Sequence, residues 1–255
     1  MYTPMFHTIK KINMKEKFIA VLILIIPILG FGQINQTIDF ISGIEYSYRN
    51  LTTSSEEGIA VGMMENRDDK ETGKINWRLG FNYNLRLSNK IFLKTGLRLA
   101  SVGYKGEKKT GLRWGSEHDG MGGWIPDPNL PHEIQLVHDY WFTEIPIAGR
   151  IEINKKKLSP FFELGVSPSI YMTTRTKTIT DIGTDSEFQN GDVHNFNKLH
   201  VVGFLSFGMN YSLNDKFQIF GQPVFRYHLT KLADAPIGEY LFNYGLEIGI
   251  RKKIK

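Results

Sequence analysis

Between Ile75 and Leu87 the chain reads INWRLGFNYNLRL. Ile75, Trp77, Leu79, Phe81, Tyr83, Leu85 and Leu87 alternate without a break with Asn76, Arg78, Gly80, Asn82, Asn84 and Arg86. In a chain that is 41% hydrophobic, such a run arises by chance in roughly one window of ten thousand, and period two specifies a strand with one apolar and one polar face. The C-terminal stretch repeats the pattern, with Tyr240, Phe242, Tyr244, Leu246, Ile248 and Ile250 alternating with Leu241, Asn243, Gly245, Glu247, Gly249 and Arg251. Six further segments, near 37–48, 90–104, 139–153, 158–172, 198–212 and 215–229, follow suit less cleanly and bring the expected total to eight strands. At about 12 to 16 residues each, they exceed the ~5 to 6 of soluble strands and suit tilted strands that cross a bilayer.

The connections alternate in length. Short turns fall at Ser88–Lys90, Asn154–Lys157 and Asn214–Asp215, while polar segments near 49–73, 105–138, 173–197 and 230–239 separate them. Short turns on one side and long loops on the other are the layout of an antiparallel up-and-down transmembrane β-barrel, with periplasmic turns, extracellular loops and, for an even strand number, both termini in the periplasm.

The start of the chain agrees with export. Lys10, Lys11, Lys15 and Lys17 precede the apolar run Phe18–Phe31, which ends in small residues, so we read 1–32 as a signal peptide cleaved between Gly32 and Gln33 and 33–255 as the barrel domain. The alternative is an uncleaved anchor, for which the run is short of the ~20 residues wanted. Met14 opens a more ordinary leader than Met1 does. Four lysines against one glutamate put three of the five formal positive charges in this leader. The basic balance therefore does not point to nucleic acid, and no arginine stripe with interleaved aromatics stands out. The 255 residues contain no cysteine, which removes thiolate catalysis, cysteine-ligated zinc and iron–sulfur clusters.

A soluble ligand-binding barrel also has eight strands, but it turns its apolar face inward. Strand length argues against it. So do the glycines of the polar face (Gly80, Gly96, Gly165, Gly208, Gly245, Gly249), which suit a crowded lumen, and the bulky aromatics of the apolar face near strand ends. With the polar face inside, the lumen receives Asp39, Glu45, Arg78, Arg86, Lys94, Arg98, Glu144, Arg150, Glu152, Glu163, Arg226, Glu247 and Arg251, together with Phe92, Phe204 and Phe220. Buried charges must be paired, and eight strands leave room only for side chains, so a salt-bridged plug is expected in preference to a pore. Pro146, Pro168 and Pro223 fall inside strands, where each removes a ladder donor, and bulges or bends are expected there.

TEIPIAGRIEI at 143–153, SPFFELGVSPSIYM at 159–172, the closing FNYGLEIGI at 242–250 and FGQ at the leader end resemble the PorT-like outer-membrane β-barrel family of gram-negative bacteria. The likeness runs over nearly the whole mature chain, although its motifs mostly encode barrel construction. It implies an outer-membrane location in a lineage bearing type IX secretion, with envelope or secretion proteins as partners. Asn243, Gly245, Ile248 and Ile250 also resemble the C-terminal signal read by the barrel-assembly machinery, departing from it in ending on isoleucine and continuing as RKKIK.

The second long segment gathers Trp114, His118, Asp119, Trp124, Asp127, His132, Glu133, His138 and Asp139. Their irregular spacing gives no metal-ligand pattern. A recognition loop centred on Trp114, His118, Trp124, His132 and His138 is one reading, and solvated loop residues another. A rim hydrolase would draw on His118 with Asp119, His138 with Asp139, or His194 near Asp192, but no GxSxG, HExxH or phosphate-cradling loop occurs in the mature chain. The expectation is a non-enzymatic barrel that takes no cofactor or metal and meets outer-membrane lipid, the assembly machinery and other envelope components. An adhesion or ligand receptor and an outer-membrane hydrolase are the alternatives.

Overall fold

The computed structural model describes residues 36–53, 58–115, 117–154, 157–189 and 195–254. The leader and its cleavage point lie outside them, as do Asp192 and His194. In chain order the elements are β1 (Gln36–Thr53), α1 (Ile59–Lys70), β2 (Glu71–Arg86), β3 (Ile91–Gly106), β4 (Ile134–Glu144), β5 (Ile147–Glu152), β6 (Leu158–Thr180), β7 (Thr184–Gln189), β8 (Leu199–Ser212), β9 (Phe217–His228) and β10 (Ile237–Lys253).

Every pairing is antiparallel, and the ladder closes on itself. It runs β1, β2, β3, then β4 with β5, then β6, β8, β9, β10 and back to β1. β4 and β5 are one wall of the ring: Glu144 faces Ser169 and Ile147 faces Val166 in the same register of β6, and the Ile145 N–H still bonds the Pro168 carbonyl at 2.9 Å. The ring therefore has eight positions, as the alternation implied. β7 lies outside it and pairs only the upper part of β6.

Two of the short turns have a clear local cause. Asn214 accepts the amides of Lys216 and Phe217 at 2.9 and 2.8 Å on its side-chain oxygen, and the Ser88 hydroxyl accepts those of Lys90 and Ile91 at 3.3 and 3.2 Å. The prolines do less than expected. Pro146 interrupts the strand and Pro223 leaves its pair with Phe207 unmade, but neither shifts the register, and Pro168 pairs Val201 in sequence. The register shifts sit at Gly73/Arg78 and at Trp141/Phe142, toward the long-loop end, where barrel rims take bulges.

The two faces separate cleanly. Leu246 and Ile248 are 63% and 66% exposed, and Glu247 between them is 0%. Phe40, Leu79, Phe81, Leu97, Leu164 and Phe207 likewise point out, while the charged residues of the same strands are buried. Crowding on the inner face explains Gly80: a Cβ there would stand 2.6 Å from the Leu97 carbonyl oxygen and 2.7 Å from Arg98 Cγ.

Two features depart from the expected loops. β6 continues to Thr180, about twice the ~9 to 11 residues needed to cross a bilayer, and folds back as β7, so much of 173–197 is a hairpin. The 49–73 segment contains α1, none of whose residues is buried; Arg67 and Lys70 in its last turn suit the negative end of the helix dipole.

Candidate functional site: a charge-filled lumen beneath a loop platform

Alternation on β1, β2, β9 and β10 delivers the middle of the lumen. The Glu45 carboxylate accepts from Arg78, Arg226 and, at 2.6 Å, the Asn243 amide. Arg78 also donates to Glu144 at 3.0 Å. Glu247 takes Arg226 and Gln222, each at 2.6 Å, and has Arg98 at 3.5 Å. Arg98 donates to the Asn82 oxygen at 3.2 Å. The Phe204 ring lies beneath the Arg98 and Arg226 guanidiniums at 5.7 and 5.8 Å.

Toward the short turns the network continues. Glu163 accepts from Lys94 and lies 3.7 Å from Arg150, which donates to Asn210 at 2.7 Å and Glu152 at 3.2 Å and sits 3.8 Å over the Phe161 ring. Asp39 receives two parallel bonds from Arg251 at 2.6 and 2.7 Å, and Phe220 lies under the same guanidinium. The structure thus brings together Asp39, Glu45, Arg78, Lys94, Arg98, Glu144, Arg150, Glu152, Glu163, Arg226, Glu247 and Arg251. Arg86 is the exception: at the strand end it folds onto its own turn, bonding the Ser88 carbonyl at 3.0 Å and Asn89 at 2.7 Å. Phe92 is only half-buried at the same end.

Above the charges lies an apolar layer of Ala100, Val102, Tyr104, Tyr140, Phe142, Tyr171, Leu232 and Leu241, with His200 and His228 against Phe142. A second polar tier closes the mouth. Arg67 of α1 reaches Glu71, the Tyr104 hydroxyl at 2.9 Å and Glu239 at 3.1 Å, and Arg49 pairs with Glu71 and Asp68. Asp139 holds Lys74 and, at 2.8 Å, Arg175. Apart from Asp139, sequence reasoning missed this tier, although Arg49 continues the parity of Asp39 and Glu45 and lies one residue beyond the expected strand end.

The expected recognition residues divide into three places. His118 and Trp124 meet across a small hairpin, their rings 5.5 Å apart. Its tip is held by Asp119, whose carboxylate accepts the Met121 and Gly123 amides at 2.8 Å each. Those bonds hold the Asp119 carboxyl below the usual range. Trp114 stands beside it through the bond from the Asp127 amide to its carbonyl, and Trp114, Met121 and Trp124 are exposed. His132 sits at the loop base, where its amide donates to Asp181 at the β6–β7 tip at 3.0 Å. Desolvation pushes the Asp181 carboxyl up, but the His132 and Glu133 amides outweigh it and hold it low. His138 lies on β4 against Tyr104 and Tyr140, whereas neighbouring Asp139 is engaged by Lys74 and Arg175. Among the described residues no three His, Asp or Glu side chains gather as a metal site.

A closed antiparallel ring of eight walls, apolar outside and ion-paired inside, defines a transmembrane β-barrel. The sequence matches no protein-family model and no curated protein. Among solved structures the chain is similar to Neisserial surface protein A (10% identity, 86% of this chain and 97% of that chain, TM-score 0.44). It is also similar to outer membrane protein OprG from Pseudomonas aeruginosa (9%, 86% and 96%, 0.43) and to Ail, the attachment invasion locus protein of Yersinia pestis (13%, 86% and 99%, 0.33).

Proposed function

We propose that this protein is a non-conducting, non-enzymatic barrel of the outer membrane, with periplasmic termini, that holds a recognition platform outside the cell and serves as an accessory component of an envelope assembly. The observation that carries this reading is the division of the chain's polar groups. Inside the ring the carboxylates and guanidiniums are used on one another across the bore, from Asp39 to Glu247. Toward the long-loop end, the upper part of β6, β7 and the 107–133 loop carry exposed aromatic and apolar side chains on a tied framework. A filled lumen with an ordered rim favours binding over transport. The resemblance to the PorT-like family supports an envelope or secretion partner and insertion by the barrel-assembly machinery.

Purification from native outer membranes in mild detergent tests this. An envelope protein should co-elute in stoichiometric amount and be lost when residues 114–127 are replaced by a short Gly-Ser linker. Elution alone would sink the accessory role, and discrete conductance steps in planar bilayers would sink the sealed lumen. A soluble extracellular ligand released by the same replacement would favour the receptor reading, which the exposed Trp114, Met121 and Trp124 also suit.

A further inference from the structure

On the outer wall of the ring, in the half nearer the short turns, is a groove of about 570 Å³. Met209, Tyr211, Ile219, Ile248 and Phe40 surround it, and Gly221 lies at its centre. Gly221 faces out between Met209 on β8 and Ile248 on β10. Nothing in the backbone demands glycine there. Its φ is not positive, and an added Cβ would meet nothing nearer than the Glu247 carbonyl oxygen at 4.0 Å. The missing side chain therefore leaves space between the Met209 and Ile248 side chains on its two neighbouring strands.

Two cations stand at the short-turn end of this groove. Lys157 lies 5.3 Å over the ring of Tyr211, itself a wall of the groove. Lys252 is exposed on β10 one outward step beyond Ile250, which also lines the groove, and pairs Phe217 at the start of β9. Neither forms an ion pair among the described residues. An apolar channel in the hydrocarbon ending under two unpaired lysines at headgroup level complements one occupant: acyl chain in the slot, anionic headgroup at the lysines.

We infer that the Gly221 groove binds one anionic phospholipid of the periplasmic leaflet, its acyl chain beside Gly221 and its phosphate at Lys157 and Lys252. This rests on the orientation proposed above, which places the short turns in the periplasm.

The test is native mass spectrometry of the folded protein released from vesicles containing equal phosphatidylglycerol and phosphatidylcholine. Its folding is checked by heat-dependent electrophoretic mobility. The wild type should retain one phosphatidylglycerol, preferred by roughly tenfold or more given two interfacial lysines. Gly221→Phe, which fills the slot with a lipid-compatible side chain, should lose that lipid. Lys157→Gln with Lys252→Gln should keep one lipid but lose the preference for charge. Folded wild type retaining no lipid, or Gly221→Phe retaining as much as wild type, would overturn the inference. Failure of the wild type to fold into vesicles would instead overturn the membrane reading on which it rests.

Discussion

Arg78 on β2 donates from Nη2 to Glu144 on β4 at 3.0 Å, joining two strands that share no backbone ladder because β3 lies between them. Its Nη1 donates to Glu45 of β1, so one side chain ties three walls of the ring from within.

That position makes Arg78 the member whose loss is most disruptive. Arg78→Ala leaves Glu45 and Glu144 short of a buried partner and should cost about 3 to 5 kcal/mol. Urea titration of the protein in lipid vesicles reads this directly. A change below about 0.5 kcal/mol would mean that water replaces the guanidinium freely and that the lumen is wet.

Leu79, the next residue, points the other way, and Leu79→Arg should destabilise the bilayer-inserted barrel by about 2 to 4 kcal/mol near the midplane. Equal folding of the variant and wild type in lipid would refute the assignment of faces.

At the mouth, α1 buries no residue of its own and is held chiefly through Arg67. Arg67→Gln should remove about 1.5 to 3 kcal/mol of charge-assisted bonding. The expected result is roughly ten- to hundredfold faster tryptic cleavage at Lys70, with the vesicle-folded barrel otherwise intact. Unchanged cleavage would place the anchor of α1 elsewhere.

The hairpin tip has a stated pH sense. Because backbone amides hold the Asp119 carboxyl low in the folded chain, its contribution is fully present above the ordinary carboxylate value of about 3.9 and is lost as pH falls through the lower folded value. Fluorescence of a variant keeping only Trp124 of the four tryptophans should stay constant from pH 7 to about 4 and change only below. A transition centred well above pH 4 would mean that something other than the Asp119 carboxyl holds the tip.

Around Pro223 the β8–β9 ladder skips two residue pairs, Phe207 with Pro223 and Gly208 with Gln222, and resumes in the same register. Pro223→Val supplies the missing donor on an outward position and should stabilise the barrel by about 0.5 to 1.5 kcal/mol. Slower amide exchange around Phe207 would accompany the gain; a loss of stability would mean that the proline's fixed φ matters more than the absent bond.

Much of the ring was readable because an interface between hydrocarbon and a charged bore forces strict alternation, as in Ile75–Leu87. Parity also assigned twelve lumen charges, since a residue's face depends only on its place in the strand. Legibility ended where that force ends. Thr173–Thr180 has no apolar face to keep, and the sequence reading assigns it to a loop although its run of threonines, good strand formers, suits the extension of β6 that the structure shows. α1 carries no buried stripe, so no period announced it. His132 and His138 sit close in sequence to His118, but Asp181 pins the first and the ring of Tyr104 packs against the second, contacts set by the meeting of distant segments.

The seam between β1 and β10 governs the order in which this molecule can come into being. Arg251 binds Asp39 across 212 residues of chain, and the ladder around that pair runs from Thr37 with Lys253 to Thr53 with Ile237. Until the last strand has been delivered, the first has one edge with no partner, and hydrocarbon offers none. The nascent protein therefore has no half-finished form that lipid will accept. Insertion and closure must be one event, and a chain cut short before Ile237 should be left for proteolysis, however well its other seven walls are written.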